Sequence, residues 1–108
     1  MTWYEKIVEA HTRVTSAASH NRRMKSERYF VWQEDGQNDL SASNGHTEKS
    51  VTGSTDLYTK MEFDPWKGAF ERSMTKSGIA WYLSSVQYEE DTGFTHYEWV
   101  WEASGAGI

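Results

Sequence analysis

The triplet Asp91-Thr92-Gly93 has the residue order that supplies the catalytic carboxylate of retroviral-type aspartic proteases. In such sites two aspartates are buried together and share a proton, which requires an apolar strand before the triplet. Here Glu89 and Glu90 precede it, so three carboxylates would stand together in water. We therefore interpret these residues as a hairpin loop, in which Gly93 adopts the positive φ that such turns need.

His96 and Glu98 are two residues apart, so on a β-strand they share one face and could hold a metal ion with Glu102. Two ligands at this spacing are a weak indication of a metal site. The sequence has no cysteine, which excludes a thiolate nucleophile, a zinc–thiolate centre and a disulfide framework. No nucleophile stands beside a plausible base, and there is no glycine-rich phosphate loop. We predict that the protein is not an enzyme and uses no metal or cofactor.

The charged residues are unevenly distributed along the 108 residues, whose net charge is −5. Residues 1–30 carry six basic and three acidic side chains, whereas residues 31–108 carry five and thirteen. The basic cluster is short and lies in an acidic chain, which disfavours nucleic-acid recognition. The distribution is typical of a solvated acidic surface, or of opposite patches that meet between copies of the chain. On the second interpretation, the predicted subunit or partner contacts are Arg22, Arg23, Lys25, Arg28, Asp35, Asp39, Leu40, Glu89, Glu90 and Asp91.

The elements that position these groups are organised around residues 78–102, which predict one long aromatic β-hairpin with arms at residues 79–88 and 94–102. In the second arm Tyr97, Trp99 and Trp101 point one way, while His96, Glu98 and Glu102 point the other, as in a strand with one face buried and one exposed to solvent. The first arm begins with apolar residues on both faces, so we expect it to lie inside the sheet.

Two helices are indicated by capping residues and apolar periodicity. Thr2 and Glu5 form a capping box at the start of the first helix, and His11 falls on its apolar stripe, which predicts a packed histidine. Asp64 and Pro65 begin the second helix as its N-cap and first helical residue, and Gly78 ends it.

The remaining chain predicts a short strand within residues 15–19 and longer strands at residues 28–33 and 46–59, with Gly53 at a bulge or a close backbone approach. Residues 34–45 are rich in turn formers and predict a long exposed loop that becomes ordered on assembly. The expected fold is α+β, a mainly antiparallel sheet of four to five strands with two helices packed on one face. Residues 1–103 form the single domain and residues 104–108 a flexible tail.

Several motifs together resemble a family of small proteins from prophages of Gram-positive bacteria, encoded among the head–tail joining genes just ahead of the major tail protein. The motifs are Trp3-Tyr4-Glu5, Arg28-Tyr29-Phe30-Val31-Trp32, Val51-Thr52-Gly53, Asp56-Leu57-Tyr58-Thr59-Lys60, Glu62-Phe63-Asp64-Pro65, Ala80-Trp81-Tyr82-Leu83 and the stretch from Val86 to Trp99. The element order is also similar to that of tail terminator and tail completion proteins of long-tailed phages.

This resemblance implies a structural virion protein made in the cytoplasm of the bacterial host. Six copies would form a ring that caps the tail tube and joins it to the head connector. The implied partners are the chain itself, the major tail tube protein and the head-completion or neck proteins. Genome DNA would pass through the ring without specific binding, and no membrane is involved.

Two other classes of function stay open at the level of sequence. One is a small soluble binding module that uses its aromatic sheet face. The other is a metal-assisted hydrolase around His96 and Glu98. Within the resemblance itself, another ring of the neck, such as a head-completion or adaptor protein, is the main alternative.

Overall fold

The computed structural model describes residues 1–41 and 47–105, and the side chains of residues 1–37 and 50–105. Its helices are α1 (Trp3–Thr12) and α2 (Trp66–Lys76), and its strands are β1 (Ala18–His20), β2 (Arg28–Ser41), β3 (Thr47–Thr59), β4 (Ala80–Glu89) and β5 (Phe94–Ser104). The five strands form one open sheet in the order β1-β2-β3-β5-β4, in which only the β1–β2 pair is parallel. This confirms the α+β class and the mainly antiparallel sheet. None of the helices described is long and apolar enough to cross a lipid bilayer.

The capping box predicted for the first helix is confirmed. The Thr2 N–H donates to Glu5 Oε1 at 2.9 Å and the Glu5 N–H donates to Thr2 Oγ1 at 3.1 Å. The predicted start of the second helix is one residue too early, because Pro65 is the N-cap of α2 and Asp64, the predicted N-cap, accepts a hydrogen bond from the Trp66 N–H at 2.8 Å. Gly78, with φ of 73°, ends the helix in the left-handed conformation.

The core lies between the helices and one face of the sheet. Trp99 and Trp101 alternate with partly exposed residues on β5, and they and Phe30 of β2 are at most 1% exposed. Phe30 and Trp99 pack against the α2 residue Phe70, whose ring centroid is 4.9 Å from that of Phe30 and 5.1 Å from that of Trp99. A Cβ atom on Gly53 would lie 2.4 Å from the Trp101 ring, which confirms the predicted close backbone approach.

The loop predicted for residues 34–45 is wrong for residues 34–41, which continue β2. They pair with β3 as far as Ser41↔Thr47, across a bulge between Glu34 and Gly36 that leaves Asp35 as the extra residue. The partner strand supplies hydrogen bonds that override the low strand propensity of this polar segment. Residues 42–45, the rest of the predicted loop, lie outside the described residues, as does His46, the predicted first residue of the next strand.

The expectation that the first hairpin arm lies inside the sheet is also wrong, because β4 is an edge strand that pairs only with β5. At the other edge β1 begins at Ala18, since a hydrogen bond from the Ala17 N–H to Thr15 Oγ1 (3.0 Å) closes a turn before it. β5 continues through Ser104, whose carbonyl oxygen accepts a hydrogen bond from Lys6 Nζ at 2.7 Å.

Candidate assembly surface at one end of the sheet

Three connections meet at one end of the sheet: residues 21–27, residues 60–65 and residues 89–93. They meet because β2 begins opposite the end of β3 (Arg28↔Thr59), and β5 begins beside β3 and opposite the end of β4. The topology therefore brings together charged groups that are more than sixty positions apart in the sequence. We call residues 21–27 the basic loop and Glu89–Asp91 the acidic tip.

The acidic tip is held by its own hairpin. Gly93 has φ of 77°, as predicted, and its N–H donates to the Glu89 carbonyl at 2.9 Å. The Thr92 hydroxyl donates to Glu89 Oε2 at 3.3 Å. Glu90 and Asp91 are exposed, and among the residues described here their carboxylates have no hydrogen-bond or ion-pair partner. The tip thus presents two unneutralised carboxylates to solvent.

The basic loop crosses the face of the sheet that the helices leave open. The Arg23 guanidinium lies 4.3 Å above the Tyr58 ring, and its Nε donates to the Tyr29 hydroxyl at 3.4 Å. The hydrogen bond to Tyr29 is the main reason that the pKa of Arg23 is raised, and Glu89 of the acidic tip adds to it. One cation of the loop and one anion of the tip therefore already attract each other within a single chain.

Arg22 and Lys25 differ from Arg23 because their side chains are exposed and bind nothing in the described part of the chain. They are the cations of the basic loop that remain available to a partner.

Arg28, the fourth cation of the predicted contact set, is engaged inside the subunit. Its Nε donates to Asp64 Oδ2 at 2.8 Å, its Nη2 donates to Asp64 Oδ1 at 2.5 Å, and its guanidinium lies 3.7 Å above the Trp66 ring. Burial raises the pKa of Asp64, but Arg28, the Trp66 N–H and the Thr59 hydroxyl outweigh it and hold the pKa below its ordinary value. Through these contacts with Asp64 and Trp66, Arg28 links the start of β2 to the start of α2.

The other predicted contact residues lie at the bulge and beyond it along β2. Asp35 is exposed, and its Oδ1 accepts a hydrogen bond from Thr52 Oγ1 at 2.9 Å. Asp39 and Leu40 belong to the backbone of β2, opposite Lys49 and Glu48, and their side chains lie outside the described set.

His96 and Glu98, the residues considered as metal ligands, are each bound to a neighbour. His96 Nε2 lies 2.7 Å from Asp56 Oδ1, and the Ser84 hydroxyl donates to Glu98 Oε1 at 2.7 Å. The His96 ring also stacks on Tyr58, with 4.4 Å between centroids. Within the described residues no group of three or more His, Asp and Glu side chains is placed to hold a metal ion.

A groove beside the acidic tip, lined by apolar side chains and by Lys60 and Glu62, escaped the sequence analysis. It has a volume of about 560 Å³ and lies between residues 60–65 and the ends of β4 and β5. Phe63, Val86 and Tyr88 line it and are 87%, 51% and 66% exposed. Phe63 has φ of 53°, an unusual backbone conformation for a large aromatic residue. The sequence showed Phe63 only as part of a helix start, and Val86 and Tyr88 only as part of an interior strand.

Comparisons with known proteins give a likeness of fold. No family model matches the sequence, and no curated protein matches it. Among solved structures, the chain is similar to one in a structure described as the virion of a native gene transfer agent (GTA) particle, with a TM-score of 0.51 and 10% sequence identity. The match covers 95% of this chain and 90% of that one. At this identity the likeness shows that the two chains share a fold.

Proposed function

We propose that this protein is a structural virion component of a phage tail or neck and has no catalytic role. The observation that carries the proposal is the fold shared with a chain of a virion particle over nearly the full length of both chains. The motif resemblance to prophage head–tail joining proteins is independent of that likeness and favours the same class. The more specific role that we propose is a tail terminator, in which six copies form a ring that caps the tail tube.

The surface described above suits such an assembly. A ring is built from heterologous contacts, in which one patch of each subunit meets a different patch of the next. Arg22 and Lys25 lie on the loop that follows β1, whereas Glu90 and Asp91 lie at the end of β4, and β1 and β4 are the two opposite edges of the sheet. Exposed cations on one loop and exposed carboxylates on another provide complementary charges for a contact between neighbouring copies.

The proposed partners are further copies of this chain, the major tail tube protein and the neck proteins that join the tail to the head. Genome DNA would pass through the ring without specific binding. The protein would be made in the host cytoplasm and function in the virion.

The oligomeric state tests this proposal. We expect sedimentation velocity and electron microscopy to detect six-membered rings, either in the purified protein at high concentration or after addition of preformed tail tubes. Binding to tube ends in gold-labelled images would place the ring at a terminus. A particle map that contained this chain as an isolated monomer, or as a closed dimer, would contradict the proposal.

A further inference from the structure

We infer that the groove lined by Phe63, Val86 and Tyr88 is the socket for the next copy of this chain, and that it receives the β1 edge and the basic loop of that copy. The inference rests on the proposed ring. It goes beyond that proposal by naming the groove at the centre of the subunit contact and the segment of the next copy that fills it.

The first argument is the exposure of the groove. Large apolar side chains concentrated at one place on a small subunit mark an interaction site. Phe63 is held outward at 87% exposure by a left-handed backbone conformation, which is unfavourable for a bulky residue unless the surroundings impose it. The outward position of the Phe63 ring does not stabilise the folded subunit, since the ring is not buried. A partner that covered the ring would gain the free energy of burying it.

The second argument is the open edge of β4, which borders the groove. Edge strands of soluble proteins are usually short, charged or interrupted by proline, because their free N–H and C=O groups attract other strands. β4 has ten residues, no proline and no charge before Glu89, and its only irregularity is a bulge between Leu83 and Ser85. The opposite edge, β1, has only three residues. β4 is therefore the less protected of the two edge strands, and its free N–H and C=O groups are available to a partner.

The third argument identifies the occupant by charge. Glu89–Asp91 adjoin the groove, and the carboxylates of Glu90 and Asp91 are exposed. Arg22 and Lys25 lie on the loop that follows β1 and are exposed and unpaired in the described part of the chain, as Arg72 and Lys76 of α2 also are. Within one subunit neither Arg22 nor Lys25 pairs with Glu90 or Asp91, although Arg23 of the same loop attracts Glu89. A second copy placed edge to edge brings them together.

Disulfide cross-linking tests the inference, because the sequence contains no cysteine and single cysteines can be introduced without background. Isotopically labelled Tyr88→Cys protein is mixed with unlabelled Arg22→Cys protein near 1 mM, where contacts with Kd of about 1 mM are populated. Lys76→Cys, exposed at the far end of α2, serves as the distant control. Mass spectrometry distinguishes mixed from like pairs, and circular dichroism confirms that each variant is folded.

We expect the mixed 88–22 pair to exceed both like pairs and every pair that contains the Lys76→Cys variant. A dominant 88–88 pair would mean that β4 forms a symmetric dimer and would overturn the inference. Rings seen by sedimentation without an 88–22 pair would overturn the inference while leaving the proposed function intact. Absence of any association, both free and on tail tubes, would overturn the two together.

A pair of substitutions separates the groove from the rest of β4. Phe63→Ser should weaken self-association at least tenfold, since it removes the most exposed ring of the socket. Tyr82→Ser removes a ring that is 59% exposed on the same edge strand, but on the face opposite the groove and six residues from Tyr88. It should leave association unchanged. Equal effects of the two substitutions would contradict a socket at the groove.

Discussion

The imidazole Nε2 of His11 accepts a hydrogen bond from the Thr55 hydroxyl across 3.1 Å, in the interior between α1 and the sheet. The hydroxyl in turn accepts from Trp101 Nε1 at 2.9 Å, and His11 Nδ1 lies 2.7 Å from the Ile7 carbonyl oxygen. Because a carbonyl only accepts, Nδ1 carries a proton, and the ring is neutral at neutral pH because burial lowers the pKa of His11 to about 4. Each polar side-chain atom in this buried hydrogen-bond network has a partner. This explains why the core can contain His11, which is 1% exposed.

The first prediction is a loss of stability in mild acid. Burial lowers the pKa of His11 to about 4 from its ordinary 6.5. Between these values the unfolded chain binds a proton that the folded chain does not, so stability rises with pH across this window and falls on acidification. The loss should reach about 3 kcal/mol by pH 4. Urea unfolding at a series of pH values measures it.

Replacement of His11 by Gln should flatten that dependence between pH 6.5 and 4, although the variant is less stable overall. The matched control is His20→Gln at the β1 edge, where the His20 side chain is partly exposed and bound to Glu34. This control should keep the wild-type slope. A slope that survives in His11→Gln would show that His11 does not cause it.

The second prediction concerns the link between β2 and α2. Asp64→Asn should destabilise the fold by about 2–4 kcal/mol, because the Arg28 guanidinium would keep its place without a counter-charge. The exposed pair between Lys60 and Glu27, 3.4 Å apart, provides the control. Glu27→Gln should change the free energy of unfolding by less than about 1 kcal/mol. Similar losses in both variants would contradict a structural role for Asp64.

The third prediction uses two glycines in opposite situations. Gly53→Ala should cost about 1–3 kcal/mol, because its Cβ would lie 2.4 Å from both the Gln33 carbonyl oxygen and the Trp101 ring. Gly68→Ala, inside α2, should stabilise the protein by about 0.5–1 kcal/mol, since the new methyl group would meet only the movable end of Arg72. Thermal or urea unfolding of the two variants checks whether Gly53→Ala lowers the free energy of unfolding and Gly68→Ala raises it.

The fourth prediction concerns the charges of the proposed ring. Glu90→Lys with Asp91→Lys should weaken self-association, and a partner chain carrying Arg22→Glu and Lys25→Glu should restore it. Each exposed pair contributes only about 0.2–1 kcal/mol, but the contact repeats around a closed ring. Sedimentation at low and moderate salt measures both effects, since such attraction weakens with ionic strength.

As an alternative, we propose that the acidic tip lines the channel of the ring, where it would keep passing DNA from binding. In that case the reversed variant should form rings normally and slow DNA passage. If reversed rings assembled and passed DNA at wild-type levels, neither role would have support.

The alternation of Tyr97, Trp99 and Trp101 was enough to predict β5, because a period of two has one structural explanation when the intervening residues are polar. The capping residues of both helices were equally local signals. By contrast, the edge position of β4 depends on where β5 inserts in the sheet, and no residue of β4 encodes that.

The candidate surface was predictable only in part, for the same reason. Charge clusters such as Glu89–Asp91 are visible in a sequence, and a hairpin tip is the natural place for them. The internal use of Arg28 was not visible, because its partner Asp64 is 36 positions away. The exposure of Phe63 was not visible either, because it depends on the positive φ of this residue, which the sequence pattern does not reveal.

The position of β5 in the sheet affects how the chain matures during synthesis. β5 is the last of the five strands to leave the ribosome, yet it lies between β3 and β4 and contributes Trp99 and Trp101 to the core. Until it emerges, β4 has no partner strand in the sheet, β3 lacks one of its two, and α2 has no Trp99 to pack against. Folding of this domain is therefore delayed until translation has passed β5, and nascent chains should not associate while they are still being made.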